Sequence, residues 1–94
     1  MQWTFGIITD GSQDQRLKTV LASIRNERIP EYEIIIVGNS LLIGPDLTVI
    51  PFDESVKEGW ITKKKNMVVD EANYKNVVLM HDYIVLDPEW YANR

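Results

Sequence analysis

Apolar residues along this chain change their spacing several times, and each change marks an element. Trp3 to Thr9 is dense in aromatic and β-branched residues and stops at Asp10-Gly11-Ser12, a turn signal, so it reads as a first strand. From Gln15 the spacing becomes helical. Leu17, Val20, Leu21 and Ile24 share one face, with Arg16, Lys18, Arg25 and Asn26 on others. Ser12 or Asp14 could cap this helix, and Pro30 is expected to end it. Glu33 to Ser40 carries four consecutive branched residues into Gly38-Asn39-Ser40 and reads as a second, buried strand. Strand, helix and strand at this spacing predict a parallel pair joined by a right-handed crossover.

Leu47 to Phe52 reads as a third strand, bounded by Gly44-Pro45-Asp46 and Asp53-Glu54. The link from Ser40 is short for a helical crossover, so the pattern leaves this strand's direction open. Gly59 to Asn73 reads as a second helix burying Ile61, Met67, Val68 and Ala72. Asn76 to Tyr83 follows as a strand. Its run from Val77 to Met80 is short, unbroken and apolar, as in a strand covered on both faces. Asp87-Pro88-Glu89-Trp90-Tyr91 could open a further helix, since Pro and Glu suit a first turn. The expected fold is α/β, a Rossmann-like three-layer sandwich with a mostly parallel sheet.

In such a sheet the loops after the strands lie along one edge, where ligands bind. Here those loops carry Thr9-Asp10-Gly11, Gly38-Asn39-Ser40, Asp53-Glu54 and His81-Asp82-Tyr83. Small hydrogen-bonding residues and carboxylates suit a nucleotide's base and ribose. Asp82 could hold a hard cation and neutral His81 a softer divalent one, against a phosphate. Each loop taken singly is ordinary turn chemistry, with Asp82 capping a turn and His81 filling a polar gap. Only their shared place at strand ends raises the functional reading. In Lys63-Lys64-Lys65 at most two side chains can face one ligand. A solvated face accounts for Lys63 and Lys64, and Lys65, beside Asn66, is the better phosphate candidate.

The chain has 94 residues, room for one domain with one modest core. A 45% hydrophobic content fits a folded protein. A net charge of −4 argues against broad nucleic-acid binding, which needs a basic face. With no cysteine there is neither a disulfide nor a thiolate metal site. No signal-peptide pattern and no run near the ~18 apolar residues of a membrane span is present, so a cytoplasmic protein is expected. His81 is the sole histidine, which excludes a His-pair mechanism. Dinucleotide, P-loop and nucleophile-elbow glycine motifs are missing too.

The order of elements resembles the nucleotide-sugar-binding N-terminal half of family 2 glycosyltransferases, which have the GT-A fold. The likeness is carried by the opening strand, Leu17 to Ile24, Glu33 to Ser40, the Lys65-Asn66 pair where the family often has Arg-Asn, and His81-Asp82-Tyr83 at the place of its Asp-x-Asp motif. The resemblance implies a nucleotide-diphospho-sugar donor, held by Thr9, Asp10, Gly11, Asn39, Lys65 and His81. It also implies a divalent ion, Mn²⁺ or Mg²⁺, at Asp82 and His81. Departures are Gly38-Asn39 where a carboxylate is frequent, Lys65 for Arg, and Tyr83 at the usual metal-ligand position. The family's acceptor site and catalytic base come later in its sequence. Residues 1–94 are therefore expected to be one domain, incomplete at its C-terminal end and without turnover alone, with acceptor unknown and self-association open. Two rival readings stand beside this one. One is a non-catalytic nucleotide- or partner-binding α/β module; the other is a receiver- or flavodoxin-like domain, whose acidic pocket Asp10 and Asp82 could imitate.

Overall fold

The structure, a computed structural model, describes residues 2–9, 14–40, 42–52, 60–82, 86 and 90. Its elements in chain order are β1 (Gln2–Ile8), α1 (Asp14–Arg25), β2 (Glu31–Val37), β3 (Leu47–Ile50), α2 (Trp60–Glu71) and β4 (Asn76–His81). The four strands form one sheet in the order β3-β2-β1-β4, with every neighbouring pair parallel. Phe5 lies opposite Ile34 on one side and Val78 on the other. The expected parallel pairing of the first two strands, with the Val77–Met80 run in the same sheet, is what the chain adopts.

Burial follows place in the sheet. The central strands hold the unbroken apolar stretches, and Ile34 to Val37 are all at most 1% exposed. A strand flanked and covered on both faces can leave no polar side chain unmatched. Alternation then sorts the side chains. Ile34 and Ile36, with Phe5 and Ile7, pack against Leu17, Val20, Leu21 and Ile24 of α1. Ile35 and Val37 belong instead to the cluster around Val68 of α2. Gly6 belongs to this second side, because a Cβ there would stand 2.2 Å from a Val68 methyl.

The direction of β3, open from sequence, is parallel to β2. Nine residues, 38–46, make the return without a helix. They suffice because β3 is only four residues long, and nine extended residues span up to about 30 Å. The return is pinned at the amino edge by Asp46. Its carboxylate accepts from Arg25 Nε at 3.1 Å, Arg25 Nη2 at 2.8 Å and Tyr32 Oη at 2.6 Å, while its carbonyl accepts from Ile34 N at 2.9 Å. The Arg25 bonds hold the Asp46 carboxyl below its ordinary range, and in turn raise the guanidinium. Burial, then the bond to Asp46, pushes the Tyr32 hydroxyl up. Arg25 is 43% exposed, so the ion pair contributes position more than energy.

Several expectations change. The Val77–Met80 run, expected to be covered on both faces, lies on the edge strand β4, where Met80 is buried but Leu79 is 40% exposed. The third strand stops at Ile50, short of Phe52, and the second helix at Glu71, short of Asn73. The first helix ends at Arg25, well before Pro30, through a turn that leaves Arg28 in the left-handed region at φ 53°. The second strand begins at Glu31 and stops at Val37, leaving Gly38-Asn39-Ser40 as loop. In α2, Ile61 is 37% exposed, whereas Lys64, assigned above to a solvated face, is fully buried. Met67 and Ala72 do pack with Val68. Asp10, Gly11, Ser12, Asp53, Glu54, Gly59, Tyr83 and the Asp87–Glu89 helix start lie outside the described residues. Among the described residues no helix is long and apolar enough to cross a membrane.

The far end of α2 is tied to the amino edge of the sheet by Glu33. Its carboxylate accepts from Thr4 Oγ1 at 2.7 Å, Asn73 N at 2.6 Å and Asn73 Nδ2 at 2.9 Å. Burial alone would raise this carboxyl, but the three hydrogen bonds together outweigh it and hold it below its ordinary value. Glu33→Gln is therefore expected to cost about 2 kcal/mol near neutral pH. The unfolded chain takes up this proton first as pH falls. The difference between the two proteins should be full above an unfolded glutamate's value, about 4.3, and disappear as pH drops through the lower folded value. Urea unfolding of both proteins across the acid range checks this, and a gap independent of pH would refute it.

Candidate functional site

Both helices start at the carboxyl edge of the sheet and end at the amino edge. Asp14, the first residue of α1, accepts from Ser40 Oγ at 2.7 Å in the loop after β2. At the other end of the same helix Arg25 reaches Asp46. Likewise the early part of α2 reaches Thr9 while Asn73, just past its end, reaches Glu33. Positive ends of both helix dipoles therefore lie at the edge where the strands stop, a setting that favours anions.

Thr9 is the meeting point. It follows β1 and is 2% exposed, and its N–H still donates to Val37 O at 3.1 Å, extending the pairing with β2 by one residue. Its hydroxyl donates to Asp82 Oδ2 at 3.0 Å, joining the ends of β1 and β4. Its carbonyl accepts from Lys64 Nζ at 2.7 Å, joining α2 to the same point. The close approach of Gly38 completes the corner, with φ 144° and a hypothetical Cβ only 2.2 Å from Thr9 O. One residue thus collects a carboxylate, an ammonium and the ends of three strands.

His81 is half-buried as the last residue of β4, in register with Ile8, and sits directly before Asp82. Thr9, His81 and Asp82 are therefore brought together as expected from their shared place at strand ends. Asn39 lies on the same edge, but its side chain serves the backbone. It donates through Nδ2 to Phe52 O at 3.0 Å and accepts from Phe52 N at 3.4 Å. In effect the amide side chain continues the β2–β3 ladder past its end. Lys65 is half-buried, and its side chain makes no hydrogen bond or ion pair with another described residue.

The residues that sequence reasoning missed are Lys64 and Phe52. Lys64 Nζ stands 4.8 Å from the centroid of the Phe52 ring as well as on Thr9 O. The signal was its spacing: Lys64 is one turn before Val68, so it shares the buried stripe. Near the start of α2 that stripe faces strand ends rather than apolar strand centres. A long side chain with a polar tip fits there, with its stem against the core and its ammonium at the edge.

A divalent ion at this edge would find a carboxylate at Asp82 with one oxygen committed to Thr9. Among the described residues no three His, Cys, Asp or Glu side chains form a cluster that could hold a metal by themselves. Mg²⁺ is commonly held by one or two carboxylates together with substrate phosphates, so the residues fit an ion that arrives with a diphosphate. A wide groove of about 720 Å³ lies at the amino edge, lined by Arg25, Tyr32, Ile43, Gly44, Pro45 and Asp46. Its charged groups already satisfy one another, which leaves the carboxyl edge as the better placed chemistry.

A scan against protein-family models finds no match, and no curated protein matches the sequence. The functional reading therefore stands on geometry and on the motif resemblance.

Proposed function

We propose that this chain is the donor-binding part of a family 2-like glycosyltransferase, a Rossmann-like three-layer domain of GT-A type that takes a nucleotide-diphospho-sugar at its carboxyl edge. The observation that carries this reading is the Thr9–Asp82 hydrogen bond, which places a carboxylate and an imidazole-bearing strand end beside the end of β1. Base and ribose lie by Thr9 and the loop after β2, whose shape Asn39 maintains through Phe52. The diphosphate lies toward His81 and Asp82, with Lys65 on the approach. Asp82, with His81, would hold an Mn²⁺ or Mg²⁺ ion, which when bound stabilises the charge of a departing nucleoside diphosphate. The parallel sheet with both helices opening on one edge supports the reading, since ligands of such sheets bind there.

Calorimetric titration of UDP-sugars and GDP-sugars, with Mn²⁺ and with a chelator, tests it. Asp82→Asn retains an oxygen to accept from Thr9 while losing the charge that attracts a cation. Affinity in the presence of metal should fall by about tenfold or more, with thermal unfolding little changed. Equal affinity in both proteins, with or without metal, would reduce His81-Asp82 to a structural turn. Catalysis of phosphoryl uptake from a small phosphodonor would instead favour a receiver-like domain.

A further inference from the structure

The outer strands β3 and β4 end the sheet in different ways. Thr9 N–H bonds to Val37 O, so odd residues of β1 turn their main-chain groups toward β2 and even ones toward β4. Gly6 lies opposite Leu79 and therefore bonds to Val78 and Met80, which leaves Val77 and Leu79 turned outward. On β3 the outward residues are Leu47, Val49 and, just past its end, Pro51, because Ile34 N–H bonds to Asp46 O and Gly38 N–H to Ile50 O. That edge is blunted. Gly44 O takes the Leu47 N–H, and Pro51 has no N–H to offer. On β4 the run from Val77 to Met80 carries no charge and no proline. Among the described residues no strand pairs with its outer side.

One face of β4 beside that edge is open as well. α2 lies over β1 and β2, with Val68 on Gly6. Lys64 leans toward Phe52, beyond β3, so the other flank of α2, with Ile61, Lys65 and Val69 at four-residue spacing, is the one on the β4 side. Ile61, Val69 and Leu79 are three of the four exposed large apolar side chains among the described residues. They make one strip along β4 rather than scattering singly. The opposite face of β4 is covered, with Val78 and Met80 in the α1 cluster together with Leu86 and Trp90.

We propose that β4 pairs antiparallel with β4 of a second copy of this chain, about a two-fold axis near Leu79, joining the two sheets into one. Charge selects both the copy and the direction. Lys75, exposed, directly precedes β4, and Asp82 directly follows it. Antiparallel pairing brings Lys75 of each copy to the His81–Asp82 end of the other, so a single symmetry operation matches both ends. Parallel pairing would set Lys75 beside Lys75 and Asp82 beside Asp82. Across the axis Val77 and Leu79 meet their counterparts on the α2 side, where the strip of Val69 and Ile61 continues the apolar contact. This interface goes beyond the nucleotide-sugar reading and does not rest on it.

Sedimentation equilibrium of the 94-residue protein, with neither nucleotide nor metal added, tests this. The wild type should be a dimer with a Kd on the order of micromolar. Leu79→Lys puts a charge at the centre of the pairing, on a side chain already exposed in the single chain. It should raise Kd by about a hundredfold or more while the monomer stays folded. Lys75→Glu sets like charges together and should raise Kd by about tenfold. Thr48→Lys, on the exposed side of β3, should leave Kd unchanged. The chain has no cysteine of its own, so Leu79→Cys should cross-link two copies under mild oxidation and Thr48→Cys should not. A wild-type monomer at every concentration would overturn the proposal, as would an assembly larger than a dimer. So would a dimer indifferent to Leu79→Lys, or cross-linking through Thr48→Cys. If Leu79→Lys does not fold, Lys75→Glu and Leu79→Cys decide the matter. No ligand enters any of these measurements, so this reading and the nucleotide-sugar reading fail separately.

Discussion

Gly38→Ala should destabilise the protein by about 4 kcal/mol and disorganise the carboxyl edge in the same step. Two costs coincide at this position. The backbone sits at φ 144°, where a side chain is strained whatever room it has. The new Cβ would also stand 2.2 Å from Thr9 O and 3.0 Å from Thr9 C, backbone atoms that no rotamer change can move aside. Thr9 would be pushed off Val37, and its carbonyl and hydroxyl would leave Lys64 and Asp82. A domain of this length has roughly 5–14 kcal/mol to lose. Denaturant unfolding measures the loss directly, and in the surviving folded fraction the Asp82-dependent ligand response should be gone. A change below about 1 kcal/mol would mean that the loop relaxes freely and that this corner does not hold the site.

Gly6→Ala should cost about 3 kcal/mol, for a different reason. Gly6 lies in the middle of β1, and its hypothetical Cβ would meet Val68 Cγ1 at 2.2 Å and Cγ2 at 2.9 Å. Val68 is fully buried and β-branched in a helix, so its side chain has essentially one rotamer and cannot turn away. The helix must lift from the sheet, and Lys64, one turn earlier, lifts with it. Val68→Ala alone leaves a cavity and destabilises too. Combined, the two changes should cost less than their sum by about 1–3 kcal/mol, because each relieves the other. Additive losses in a double-mutant cycle would show that α2 does not rest on Gly6.

Much of the fold was legible because period and burial follow from the same geometry. Leu17, Val20, Leu21 and Ile24 recur at helical spacing, and all four are buried. The apolar run of the second strand marks a strand covered on both faces, and it lies inside the sheet. The helix end was misplaced because Arg28 supplies a left-handed turn that its residue type does not advertise, while Pro30 gives a louder signal farther on. The buried face of α2 was misread for a related reason. Ile61 is apolar and Lys64 is charged, so hydropathy alone ranks them the wrong way round.

At the site, sequence pointed to Thr9, His81 and Asp82 through one regularity: in a parallel α/β sheet the residue after each strand falls on a common edge. That regularity assigns an edge but no partners. Asn39 satisfies it and yet spends its side chain on the Phe52 backbone, a contact between loops that neither loop encodes.

Periodicity by itself determined the strands, the helices and the parallel pairing, because spacing of 2 or 3.6 residues and a helix-long crossover are local properties of the chain. Tertiary structure decided the rest. The direction of β3 depended on whether nine residues could span a four-residue strand, which is a matter of distances between ends. The place of Lys64 depended on where α2 begins relative to the sheet: one turn farther along, the same stripe faces the Ile35–Val37 core; at Lys64 it faces Thr9 O. Spacing tells a side chain which face it occupies, but only the packed helix determines what that face meets.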